Sequence, residues 1–360
     1  MRRIVSCDGG GIRGILTLQI LRKIEALFRE EQGRESLVLA DVVDMFAGTS
    51  TGAIIATCLA WGLSVDRIEE LYLEHGAAMF TRDAWYRILR SKYRSDTIAR
   101  FFQGFLVEDD GSPALLGTSK LRTKLVMVMR NASTGSPWPV SNNPDAIYNA
   151  LDHPACNLKF PLWQLLRAST AAPTYFSPQE IDYEEESHLF IDGGISPFNN
   201  PALIAVLMAT LPKYKLGWTA TREDLHVISI GTGSTRRTLP HKEAAQMDVR
   251  DYLQYLVPAL MGAVSVEQDM LCRVLGDCVN GKEIDSEIGT LDEPTLLSSG
   301  EQKFTYARYD VALDSEEGHH MTAVQSRLDN LESIPLLQSV GTGYAEKTVK
   351  AWHLYPRRTA

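Results

Sequence analysis

The chain has 360 residues, 44% of them hydrophobic, and a formal net charge of −9. That length and apolar content predict a large core, and we expect a single domain over 1–360. Basic clusters are no longer than pairs such as Arg2-Arg3 and Arg236-Arg237, which argues against a DNA or RNA groove and against standing electrostatic attachment to an anionic membrane. Five scattered cysteines without a C-x-x-C pair suggest neither a disulfide framework nor zinc. The N-terminus enters a strand directly and no apolar run nears ~18 residues, so the expectation is a soluble, cytoplasmic protein.

Arg3–Cys7 reads as a first buried strand. It runs into Asp8-Gly9-Gly10-Gly11-Ile12-Arg13-Gly14 and then a helix, with Leu16, Ile20, Ile24 and Leu27 at helical spacing and Gly33 as its stop. A second strand is expected over 42–46, followed by a sharp turn at Gly48-Thr49-Ser50-Thr51-Gly52 and a helix of small apolar residues to Trp61. Another helix starts near Ser64 and runs to about His75. Residues 80–118 are less periodic and form a candidate lid or cap. Thr123–Met129 is a buried strand. Asn131–Asp145, rich in Asn, Ser, Gly and Pro, reads as loop.

A short helix ends near Pro173. The acidic 182–186 run reads as a hairpin turn, whose second strand, His188–Ile191, meets Asp192-Gly193-Gly194. Pro201–Leu211 is helical with proline at its start, and Leu225–Ile230 is a strand. Met247–Leu275 is a helix broken or kinked near Pro258. Phe304–Val311 has strand character, and residues 236–360 are otherwise read as mostly helical. Alternation of strands and helices predicts an α/β three-layer sandwich, a mainly parallel central sheet with helices on both faces.

The chemistry centres on Ser50. In the G-x-S-x-G turn, Gly48 and Gly52 remove Cβ atoms from a tight strand-to-helix junction and leave the hydroxyl exposed at a helix N-terminus. Gly9-Gly10-Gly11 leaves backbone amides bare at a second such junction, a concavity suited to an oxyanion, with Arg13 as an anchor or an added charge. The same loop fits the G-x-G-x-x-G dinucleotide fingerprint, which keeps a non-enzymatic nucleotide-binding module open. A serine nucleophile needs a base. None of the eight histidines sits at a Gly-rich strand end, so a Ser-His-Asp esterase lacks an obvious histidine. Asp192 does sit at such an end, although an Asp-Gly turn needs no chemistry to explain it.

Taken together, Asp8-Gly-Gly-Gly-Ile-Arg-Gly14, Gly48-Thr-Ser-Thr-Gly52 and Asp192-Gly-Gly194 resemble the patatin-like phospholipase family. Ala168–Phe176 and Asn199-Asn200-Pro201 agree, and the resemblance covers roughly 3–235. It implies a Ser50–Asp192 dyad without histidine, an oxyanion hole at Gly9, Gly10 and Gly11, and structural support from Arg13, Gly48, Gly52, Gly193 and Gly194. It further implies an acyl-enzyme that cleaves membrane phospholipid esters with neither metal nor cofactor. The size is similar to that of bacterial members serving as anti-phage effectors. This implies a cyclic di- or oligonucleotide activator and transient contact with the inner membrane.

Overall fold

The computed structural model describes residues 1–79, 95–153, 155–173, 175–235, 249–292 and 301–355. A nine-stranded sheet forms the middle layer, in the order β5-β6-β3-β2-β1-β7-β9-β8, with β4 paired to β3. The strands are β1 (Arg2–Cys7), β2 (Met45–Thr49), β3 (Lys124–Asn131), β4 (Pro137–Ser141), β5 (Gln179–Tyr183), β6 (Glu186–Asp192), β7 (Leu225–Ile230), β8 (Asp277–Asn280) and β9 (Thr305–Tyr309). The six strands from β3 to β8 run parallel, whereas β4, β5 and β6 join antiparallel.

Period-two alternation along the strands builds two cores. Val5, Phe46, Met127 and Ile228 face one side. There they pack against α1 (Gly14–Gln32), α2 (Thr51–Ala60), α3 (Val65–Met79), α5 (Leu162–Ser169) and α8 (Ile334–Thr348). Ile4, Ala47, Val126 and Val227 face the other side. They meet α6 (Ala202–Thr210) and Cys272 of α7 (Val249–Leu275). The expected three-layer α/β sandwich is therefore the observed one.

Several boundaries differ from expectation. The second strand is Met45–Thr49 rather than 42–46, because Val42 and Val43 cap a short 3-10 turn over Leu39–Asp41 and hydrogen-bond back to Leu39 O. Within the expected loop 131–145, Pro137–Ser141 is a strand. Pro137 and Pro139 lie on a strand whose one partner among the described residues is β3, and an edge position tolerates prolines. The helix carrying Pro258 runs continuously from Val249 to Leu275, since proline removes one hydrogen bond and the rest of the ladder spans it. The C-terminal part is less helical than expected. Its described residues add β8 and β9 to the central sheet, β9 within the expected strand 304–311 and β8 without a counterpart in the sequence reading. Within the candidate lid, residues 80–94 lie outside the described residues. The following 95–105 form α4 (Ser95–Phe105), whose Phe102 is buried in the larger core.

Candidate active site

Ser50 stands between β2 and α2 with φ 54° and ψ −124°, a conformation that L-residues avoid. Three local features hold it there. A Cβ on Gly48 would overlap the Gly52 carbonyl, and one on Gly52 would overlap the Cys7 carbonyl. These two glycines thus let α2 lie directly on β1 and β2, which fixes the angle of the turn. The Ser50 N–H donates to Ser169 Oγ at 2.9 Å, and Ser169 Oγ donates to Val128 O at 2.6 Å.

Asp192 meets Ser50 across 142 residues of chain, and Ser50 Oγ donates to Asp192 Oδ2 at 2.6 Å. The register explains the meeting. β2 leaves β3 at the pair Thr49–Val128, and β6 takes up pairing at Met129–Asp192. Asp192 is therefore level with the residue after Thr49, which is Ser50. The expectation that Asp192 ends a strand at the carboxyl edge of the sheet holds for its position, but β6 arrives there antiparallel to β3. Gly194 N–H donates to Asp192 Oδ1 at 2.7 Å, and Asp192 N–H donates to Ala171 O at 3.0 Å. A Cβ on Gly193 would overlap Val128 O. Burial pushes the Asp192 carboxyl up to about 6, against the lowering influence of Ser50, the Gly194 amide and the Arg167 guanidinium.

The glycine loop is clamped from three sides. Gly9 N–H donates to Asn199 O at 3.1 Å, so this amide is already committed and does not face Ser50 as a free donor. Thr232 Oγ1 donates to Gly9 O at 3.3 Å, and Arg13 N–H donates to Gly10 O at 3.2 Å. Because a trans peptide sets N–H opposite C=O, these two bonds orient the amides of Gly10 and Gly11. Neither amide has an acceptor among the described residues. Tyr72 OH donates to Gly11 O at 2.5 Å and hydrogen-bonds Thr51 Oγ1 at 2.6 Å, tying loop to elbow. Gly11 has φ +59°, in the left-handed region that favours glycine.

Arg13 is buried and turned away from Ser50. Its Nη2 lies 3.5 Å from Thr232 Oγ1, so it anchors the loop. Behind the loop, Asp8 takes a bidentate fork from Arg308 at 2.9 and 2.6 Å, both groups fully buried, and Arg308 also donates to Ser229 Oγ at 2.8 Å. Burial pushes Asp8 up to about 6 despite Arg308, while Asp8 and Asp310 hold the guanidinium charged.

A cavity of about 60 Å³ opens on the dyad, lined by Ser50, Asp192 and Gly11 together with Ile54, Phe176, Ile195, Met261 and Leu328. Its walls suit a hydrocarbon chain. Among the described residues no histidine lines it. Among the described residues His226 lies at the opposite end of β7, beside Arg3, and His353 bonds Tyr309 OH at 2.8 Å. His241 lies outside the described residues. The dinucleotide alternative has fewer free donors than its motif calls for, because Leu328 O accepts Ile12 N–H and Gly11 O accepts Gly14 N–H at the helix start. Among the described residues no group of three His, Cys, Asp or Glu is placed to hold a metal ion.

The sequence marks the segments holding Ser169 and Asn199 without assigning those residues a task. It does not mark Arg308, Tyr72, Thr232, Met261 and Leu328, which come from distant elements and carry no local signature.

The patatin-like phospholipase family model matches residues 5–206, more than half of the chain, and the chain belongs to that family. It is 29% identical to the cGAMP-activated phospholipase of Vibrio cholerae, over 64% of this chain and 64% of that protein. The Escherichia coli protein of the same name is 29% identical over 64% of this chain and 62% of its own length. Patatin-17 of Solanum cardiophyllum is 28% identical over 68% and 64%. The chain thus spans a little under two thirds of these relatives.

Proposed function

We propose that the chain is a lipid acyl hydrolase that cleaves fatty acyl esters of membrane phospholipids through a Ser50–Asp192 dyad. The observation that carries this reading is the 2.6 Å hydrogen bond from a strained serine to a buried carboxylate, at the floor of an apolar cavity. Asp192 is ionised at neutral pH and can take a proton, since burial raises it to about 6. As Ser50 Oγ attacks the ester carbonyl, its proton passes to Asp192 Oδ2. The amides of Gly10 and Gly11 receive the oxyanion, each such donor being worth about 3–4 kcal/mol. Asp192 returns the proton to the departing alcohol as the ester C–O bond breaks. Water then gives a proton to Asp192, attacks the acyl-Ser50 ester and releases the fatty acid, and Ser50 recovers its proton. Gly9, Arg13, Gly48, Gly52, Gly193 and Gly194 support this geometry and take no part in proton transfer.

Ser50→Ala and Asp192→Asn should each cut fatty-acid release from phospholipid vesicles by roughly 10⁴ while circular dichroism stays native. Normal turnover in either variant would falsify the dyad. A His353→Ala or His188→Ala variant should retain activity, and loss there would restore the histidine-based reading.

Activation by a cyclic di- or oligonucleotide is the second part of the proposal, resting on the two relatives named as cGAMP-activated. Action at the inner membrane in anti-phage defence is what the sequence resemblance to bacterial effectors implies, and it joins the proposal on that ground. Phospholipid hydrolysis with and without a panel of cyclic nucleotides tests it. High basal activity that no nucleotide changes would remove the activator and leave the hydrolase.

A further inference from the structure

Helix α7 is built inside out. At 3.6 residues per turn, Leu256, Leu260, Ala263 and Val266 fall on one arc, which the exposed Glu267 closes at its C-terminal end, and Met261, Ser265, Gln268 and Asp269 fall on the other. The apolar arc faces outward. Leu256 is 45% exposed, Leu260 57% and Val266 46%. The polar arc faces inward, with Gln268 and Asp269 buried. Asp269 takes the Arg273 guanidinium at 3.0 and 2.7 Å and the Tyr306 hydroxyl at 2.9 Å, and Ser265 Oγ accepts from Asn199 Nδ2 at 2.8 Å. A water-facing helix normally shows the reverse pattern. From Leu256 through Val266 there is no charged residue at all.

The same stretch adjoins the site. Met261 lines the cavity that holds Ser50 and Asp192, and α7 packs on the Gly193–Ile195 turn that follows Asp192. We propose that the outward arc of α7 is a docking surface for a lipid bilayer, a proposal that rests on the lipid hydrolase reading for its purpose. An acyl chain has to pass from lipid to cavity, and an apolar ridge beside the cavity lets it do so without crossing water. The uncharged stretch is ~16 Å long, too short to span a bilayer and suited to lying in its interface. Among the described residues no helix is long and apolar enough to cross a membrane. With a net charge of −9 and an exposed Glu267 at the C-terminal end of the arc, attraction to anionic headgroups supplies nothing, so apolar burial must drive the contact.

The test uses the full-length Ser50→Ala protein, which leaves vesicles intact. Its co-sedimentation with phosphatidylcholine vesicles is compared with that of the same protein carrying Leu256→Ser and Leu260→Ser. Binding should fall by roughly tenfold for each leucine, and binding of the parent should change little with salt or added phosphatidylglycerol. With Ser50 present, the double variant should hydrolyse a soluble p-nitrophenyl butyrate as the parent does. Undiminished vesicle binding by the double variant overturns the proposal. So does a parent that binds no vesicles, or binds only anionic ones and is released by salt. A dimer that the substitutions dissociate, with vesicle binding unchanged, would make this face a self-interface and equally overturn it. Failure of the parent to cleave the soluble ester with every member of the cyclic-nucleotide panel present, with leucine-dependent vesicle binding intact, would remove the hydrolase reading and leave the docking surface standing.

Discussion

Asp192 and Asp8 are both buried, both sit at the end of a strand beside the glycine loop or the elbow, and burial pushes both up to about 6. Their partners differ. Asp192 is held by two neutral donors, the Ser50 hydroxyl and the Gly194 amide, with Arg167 acting only through its field. Asp8 is locked by both arms of a buried guanidinium. With both raised alike, the occupants of their oxygens separate them: Asp192 faces a hydroxyl whose proton it can take at the floor of the cavity, whereas both oxygens of Asp8 are filled by a buried guanidinium, which makes it a structural post. One burial level therefore yields a base in one place and a fastening in the other, and the partner decides which.

The largest effect expected from breaking this contrast is on turnover. Asp192→Asn should lower phospholipid hydrolysis by roughly 10⁴, yet at pH 7–8 it should raise stability by on the order of 1–3 kcal/mol, because it removes a buried charge whose desolvation outweighs what its donors return. Asp8→Asn should do the opposite to stability. It strands the Arg308 guanidinium, and thermal or urea unfolding should report a loss of about 3–5 kcal/mol. If both substitutions change stability in the same direction, the distinction between the two aspartates is wrong.

What the sequence showed and what it hid divide along the same line. Gly48, Gly52, Gly10, Gly11 and the Asp192-Gly193-Gly194 turn are legible because close approach and tight turns admit few residue types, and they do so within a few positions. The Asp8–Arg308 pair spans 300 residues, and an arginine in a strand pattern gives no sign that it will face an aspartate. The commitment of the Gly9 amide to Asn199 O depends on where a distant turn comes to rest, so all three loop amides look alike in sequence. Residues Pro137–Ser141 were hidden because two prolines and flanking polar residues read as loop, and only the pairing with β3 makes them an edge strand.

The pH profile sharpens the contrast next. Asp192 must be ionised to accept the Ser50 proton, so kcat/KM should fall about tenfold per unit as pH drops below about 6. For stability the sign is reversed. A carboxyl raised in the folded state binds its proton more tightly there than in the unfolded chain, where it titrates near ~3.9. Its contribution is fully present below that value and is lost as pH rises through about 6. The stability advantage of Asp192→Asn should therefore shrink as pH falls from 7 towards 4. An advantage independent of pH would mean that the gain comes from packing instead of charge.

Ser169 should give the smallest effect, and it separates positioning from proton transfer. Its hydroxyl accepts the Ser50 N–H at 2.9 Å and donates to Val128 O at 2.6 Å, so it holds the strained elbow without touching the dyad oxygens. Ser169→Ala leaves a buried amide and a buried carbonyl without that partner, a cost of about 1–3 kcal/mol to stability. The strain at Ser50 then relaxes more easily, and kcat should fall by roughly tenfold with KM little changed, since the misplacement is felt in the transition state more than in binding. The acid limb should stay near pH 6, because the surroundings of Asp192 keep the Ser50 and Gly194 bonds. A limb displaced by a full unit in Ser169→Ala would place Ser169 in the proton-transfer network and dissolve the separation between the residue that shapes the elbow and the carboxylate that works on it.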